Sequence, residues 1–168
     1  MKRTLDFRRI EALPRRAPPT KREAIRLAKK WTRELAKVRG VTLLPWQGAA
    51  LEEAHLAKGG VFSLPVGSGK FYIAEALPIV LRVSRSVLII PGSLKDKTFS
   101  TRRKWAHKWR LASPPPRIIT REELALESNA GLLEYLKPEL IIEDESHKGG
   151  NFDRGVPARV HRYVKQSQ

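Results

Sequence analysis

The sequence predicts an α/β fold: a mostly parallel β-sheet with helices on both faces, preceded by a basic helical extension. Three observations carry this. Short, mostly apolar runs at 61–65, 87–91 and 140–144 alternate with longer stretches of helical periodicity, the pattern of strands buried on both sides. The first run opens into Gly67-Ser68-Gly69-Lys70, a glycine-rich turn at a strand-to-helix junction. The third delivers Asp144 and Glu145 to its carboxyl end, the edge at which open α/β sheets bind ligands.

Taken in order, residues 1–19 form a basic leader with Arg8-Arg9, Arg15-Arg16 and Pro18-Pro19, expected to be ordered only by a partner. Thr20 and Glu23 have the spacing of a capping box and start a helix reaching about Val38. Its apolar residues are Ile25, Leu27, Ala28, Trp31, Leu35 and Val38. Gly40 ends it, which divides the chain into an extension over 1–40 and a main domain over 41–168. Pro45 suits the first turn of a second helix that runs to Lys58 and stops at Gly59-Gly60. The remaining expectations are strand 61–65, helix 69–83, strand 87–91, helix 93–109 and strand 117–120. After these come a helix over 121–136 broken near Asn129, strand 140–144 and a last helix over 157–166.

Composition narrows the function classes. There are 33 lysines and arginines against 17 acidic residues, a formal net charge of +16 that favours a polyanion, nucleic acid ahead of an anionic membrane surface. Residues 1–38 alone hold thirteen basic and four acidic side chains, so the first helix presents either a solvated face or a nucleic-acid contact. No run approaches the roughly 20 apolar residues of a membrane span, and the basic N-terminus lacks the apolar stretch of a secretory signal. The absence of cysteine excludes disulfides, thiol catalysis and cysteine zinc sites, and fits a cytoplasmic setting. Trp105 and Trp109, four apart, are expected to pack one helix face, with base stacking the lesser alternative. The cluster Arg102, Arg103, Lys104, His107, Lys108 and Arg110 is expected to be solvated, or to follow phosphates.

The glycine turn and the acidic strand end suit ATP with Mg2+. Gly67 and Gly69 allow successive N–H groups to face one anion, the following helix adds its positive end, and Lys70 reaches the outer phosphates. In the strict pattern G-x-x-x-x-G-K-[ST], Leu64 stands at the first glycine and Phe71 at the final hydroxyl, ordinarily a magnesium ligand. Asp144 would hold Mg2+ through water, and Glu145 would orient or deprotonate the attacking water. A plain Gly-Ser turn and a solvated acidic turn are the unexceptional alternatives; two such motifs in this order argue against coincidence.

These residues resemble a known family. Asp144-Glu145-Ser146-His147 resembles the DEAH/DECH box of superfamily 2 helicases and translocases, and Pro65-Val66-Gly67-Ser68-Gly69-Lys70 resembles their motif I. Leu43-Leu44-Pro45-Trp46-Gln47 looks like the glutamine element that reads adenine. Residues 86–98 are similar to motif Ia, and 117–125 stand where motif Ib is expected. The likeness, nearest to helicase-like proteins of bacteriophages, covers roughly 41–161.

It implies a RecA-like P-loop NTPase domain, an ATP hydrolase acting on DNA or RNA in the cytoplasm, that of the host if phage-encoded. Pro65, Val66, Gly67, Ser68, Gly69, Lys70 and Phe71 would bind the nucleotide, with Gln47 on the adenine. Lys70 and Glu145 would be catalytic, and Asp144 would hold the metal. His147 would couple ATP state to nucleic acid, which Pro91, Gly92, Ser93, Lys95, Thr120 and Arg121 would contact. Nothing after Lys148 matches motif III or the arginine-finger domain, so the resemblance implies a first motor domain, weakly active alone, whose partner domain a separate chain would supply. A non-enzymatic nucleic-acid-binding remnant and the ATPase part of a DNA-packaging terminase stay open as alternatives.

Overall fold

A computed structural model of the chain describes residues 17–60, 62, 64, 67–144 and 155–166. The leader lies outside these, apart from its last few residues. Helix α1 (Lys21–Leu35) begins at the expected capping box: Thr20 Oγ1 accepts from the Glu23 N–H, and the Glu23 carboxylate accepts from the Thr20 N–H at 2.9 Å. It stops at Leu35, short of Val38, because Ala36 turns extended and forms an antiparallel bridge with Trp109. Lys37 N–H donates to the Lys108 carbonyl and Arg110 N–H to that of Leu35. No local pattern encodes that long-range bridge.

Helix α2 (Pro45–Ala57) packs along α1. The crossing is close at Gly48, where an added Cβ would lie 2.3 Å from the backbone nitrogen of Ala28. Backbone cannot rotate out of the way as a side chain can. Gly48→Ala should therefore cost about 1–3 kcal/mol by overpacking, read from urea unfolding. An unchanged midpoint would show that the two helices separate freely.

The other elements are α3 (Lys70–Leu81), β1 (Ser86–Ile90), α4 (Lys95–Ala106) and β2 (Arg117–Thr120), then α5 (Arg121–Ala125), α6 (Leu132–Leu136), β3 (Leu140–Glu143) and α7 (Gly155–Gln166). Short 3-10 turns at Gly92–Leu94 and Glu127–Asn129 precede α4 and divide α5 from α6. The three described strands form an open, all-parallel sheet in the order β2-β1-β3, with Leu88 paired to Ile118 on one side and Ile142 on the other. Central β1 is buried along its whole length, as its unbroken apolar sequence requires.

Both faces are covered. On one, Leu88, Ile90, Ile118 and Ile142 meet Phe71 and Ala74 of α3. Beyond α3, Leu51, Tyr72, Leu77 and Trp109 share a larger core with Ala28, Trp31 and Leu35, so α1 is built into the same core as α2 and α3. On the other, Val87, Ile89, Ile119 and Ile141 pack with Leu124, Leu133, Val156 and Tyr163 from α5, α6 and α7. The expected strand over 61–65 falls largely outside the described residues; Phe62 and Leu64 join no ladder and pack on the α1–α3 core. No helix among the described residues is long and apolar enough to cross a membrane.

One buried ion pair fastens α3 to α4. Glu75, wholly inaccessible, accepts from Arg102 Nε at 2.9 Å and Nη2 at 2.7 Å, and Nη2 also donates to the Pro116 carbonyl. Burial raises the Glu75 carboxyl above its ordinary value even with the guanidinium alongside. Arg102, expected on a solvated or phosphate-facing surface, thus points inward.

Candidate functional site

The site is built on the first residues of α3. Gly67 (φ +79°) and Gly69 (φ +78°) both take left-handed backbone, which a side chain would strain. At Gly67 there is space for a Cβ, so the backbone angle alone demands glycine. At Gly69 a Cβ would also lie 2.3 Å from Gln47 Nε2. Gly69 caps α3 and its carbonyl accepts from Tyr72 N–H at 2.9 Å, leaving Lys70 as the first helical residue.

Helix α2 grips this turn. The Ser68 carbonyl accepts from Gln47 Nε2 at 2.9 Å and from Trp46 Nε1 at 3.2 Å. Gln47 Oε1 in turn accepts from the Leu44 N–H at 3.0 Å, half of a capping box whose other half leucine cannot supply. Both ends of the Gln47 amide are therefore engaged, and the side chain is buried. The resemblance assigns Gln47 to adenine; the structure gives its amide to the loop. Across a trans peptide the carbonyl and the next N–H point oppositely, so fixing the Ser68 oxygen towards α2 turns the Gly69 N–H away from it.

Two features of the turn are suited to an anion. Ser68 is only 4% exposed, and its Oγ has no hydrogen-bond partner among the described residues. Lys70 is half-buried and enters no ion pair among them. An α-helix of twelve residues adds the positive end of its dipole at the same place. Phe71 faces the other way, into the cluster of Ala74, Leu88 and Ile90. Its ring is core. That contact also sets the start of α3 at the carboxyl end of β1.

The same sheet edge carries the other expected residues. Asp144 follows β3 and donates its N–H to the Ile89 carbonyl at 3.0 Å. Arg121 donates to the Asp144 carbonyl at 2.8 Å and pairs with Glu143 at 3.2 Å. Gly92 N–H donates to Glu122 at 2.9 Å, and Lys95 pairs with Glu123, whose carboxyl it holds below the usual range. Thr120 is buried as the cap of α5, in a second capping box with Glu123. Pro91 and Ser93 lie in and beside the turn that follows β1. So Pro91, Gly92, Ser93, Lys95, Thr120 and Arg121 do assemble at one edge, but the charges of Lys95 and Arg121 have acidic partners within the fold. Pro65, Val66, Glu145 and His147 lie outside the described residues.

For a phosphate group the fit is good: two left-handed glycines, a helix start, a buried orphan hydroxyl and a lysine. For Mg2+ the described residues offer no cluster of three metal-binding side chains; Asp144 is the carboxylate at hand, and Phe71 offers no oxygen. Magnesium that travels on nucleotide phosphates requires no more than one or two carboxylates. Sequence reasoning missed Trp46 as a loop contact and Glu75 as a buried acid. The second left a trace, a single carboxylate in an otherwise apolar stretch of α3.

No family model, curated protein or solved structure matches the chain.

Proposed function

We propose that the chain is a nucleotide-binding motor domain of the superfamily 2 helicase or translocase kind, holding ATP on the Gly67–Lys70 turn and coupling it to DNA or RNA. The observation that supports this most is the grip of Trp46 and Gln47 on Ser68. Two segments some twenty residues apart, which the resemblance names as the glutamine element and motif I, meet there by hydrogen bonds, at the start of the helix that a phosphate site requires.

In this reading the grip withdraws the Ser68 carbonyl oxygen, which would repel a phosphate, and leaves loop N–H groups, Ser68 Oγ and the Lys70 ammonium to receive the anion. Mg2+ arriving with the nucleotide would be held by Asp144 and would neutralise phosphate charge. Glu145 follows Asp144 directly and is the base of the proposal. A second reading, nucleotide binding without fast turnover, is favoured by Phe71: where the motif calls for a magnesium-binding hydroxyl, an oxygen-free ring packs against Ala74, Leu88 and Ile90.

Lys70→Ala tests the site. Loss of one charge-assisted contact is worth about 1.5–3 kcal/mol, so ATP affinity measured by calorimetry should fall some ten- to hundredfold. Oligonucleotide affinity should change far less. Equal ATP binding by both proteins would reduce the loop to a simple turn.

A further inference from the structure

We infer that the outward face of α1 is a track for the phosphate backbone of nucleic acid, separate from the nucleotide site. Arg22, Arg26, Lys29 and Arg33 are all exposed and enter no ion pair among the described residues. At about 100° per residue the four fall within about 60° of one another, roughly opposite the buried face of Ala28, Trp31 and Leu35. They span roughly 16 Å of helix, a length over which a duplex presents on the order of ten phosphate charges.

Apart from the attraction of Arg26 for Glu23, the stripe opposes its own helix. Arg22 and Arg26, Arg26 and Lys29, and Lys29 and Arg33 are like-charged neighbours at i,i+4 or i,i+3 and oppose helix formation. The acids of α1 lie off the stripe: Glu23 is engaged in the capping box and Glu34 is on the flank. Glu52 of the neighbouring helix is taken by Lys30 and Trp31. The bridge between Ala36 and Trp109 then brings the basic end of α1 beside Lys108 and Arg110, uniting two basic segments some seventy residues apart in sequence. Ile25 is the one exposed large apolar side chain on α1, whereas a helix lying in a membrane surface needs a broad apolar face to insert. That favours nucleic acid over a lipid headgroup layer. Backbone contacts of this kind carry no sequence preference.

The inference does not rest on the ATP reading, and the experiment separates them. Binding of a fluorescein-labelled mixed-sequence oligonucleotide, single-stranded and duplex, is measured by anisotropy against salt. Four proteins are compared: the full chain, R22Q/R26Q/K29Q/R33Q, the equally discharged K58Q/R82Q/K137Q/R162Q, and K70A. The α1 variant should lose about 3 from the slope of log K against log salt, at roughly 0.7–0.9 for each contact, with the other two close to the parent. A parent-like slope in the α1 variant, or an equal loss in the scattered one, overturns the proposal. So does loss of binding to phosphatidylserine vesicles with oligonucleotide binding intact. Independently of any substitution, oligonucleotide should protect Lys29 from acylation in the unaltered protein and leave Lys58 reactive; equal reactivity of Lys29 with and without oligonucleotide overturns it too.

Discussion

Arg102→Met is expected to lower the stability of the fold by about 3–5 kcal/mol, because it strands the Glu75 carboxylate in a site with no access to water. Against a total of about 5–15 kcal/mol for a domain, that is a large share. The loss should depend on pH with a definite sign. Burial already raises the Glu75 carboxyl with Arg102 in place, and without the guanidinium it rises further. A group whose folded pKa lies above its unfolded value favours the fold below the unfolded value and loses that contribution as pH climbs through the folded one. The variant should therefore be least impaired near pH 5, where Glu75 can take a proton, and most impaired near pH 8. Urea unfolding at both pH values checks this. A deficit below about 1 kcal/mol, or one that grows on acidification, would mean that water reaches the pair. Replacing both partners, as in E75L/R102M, should recover much of the loss.

Trp109→Ala should be of similar size. Its ring lies 4.6 Å from that of Tyr72, which in turn stacks on Trp105 at 4.9 Å, and its backbone forms the bridge to Ala36. Removing a buried tryptophan costs about 3–5 kcal/mol through lost burial and the cavity left behind. The cavity would open against the ring of Tyr72, whose hydroxyl is buried with no hydrogen-bond partner among the described residues and is held strongly protonated by burial. Thermal unfolding should show a fall of about 6–20 °C, and Trp109→Phe should restore part of it. A variant as stable as the parent would show that the aromatic stack is not a structural unit.

The parts of the fold that local chemistry determines were legible in the sequence. The capping box at Thr20, the proline opening α2, the glycine turn before α3 and the unbroken apolar run of β1 all lie where their residues require. Boundaries set by distant contacts were not. Helix α1 ends early because Ala36 finds Trp109, whereas the break expected near Asn129 is where the 3-10 turn at Glu127–Asn129 divides α5 from α6. Phe71 read as a missing hydroxyl; its packing on Leu88 and Ile90 shows what the ring does instead. At the candidate site the glycines and Lys70 were visible from their pattern, whereas the double donation to the Ser68 carbonyl depends on how α2 meets the loop. Likewise the basic cluster near residue 102 divides by direction, Arg102 turning inward and Arg103 and Lys104 outward.

Trp46 makes the turn optically observable. Of the four tryptophans, Trp31 and Trp109 are buried and Trp105 is partly buried in the aromatic stack, while Trp46 is 45% exposed with its indole N–H bonded to the loop. Emission at the red edge of the spectrum should therefore come mainly from Trp46, and a collisional quencher such as acrylamide should reach it first. Any ligand that swings the Ser68–Gly69 peptide breaks or lengthens an indole hydrogen bond and shifts the wavelength of that emission. The chain thus carries an intrinsic dye at the loop proposed to hold the nucleotide, and titrations there need no label.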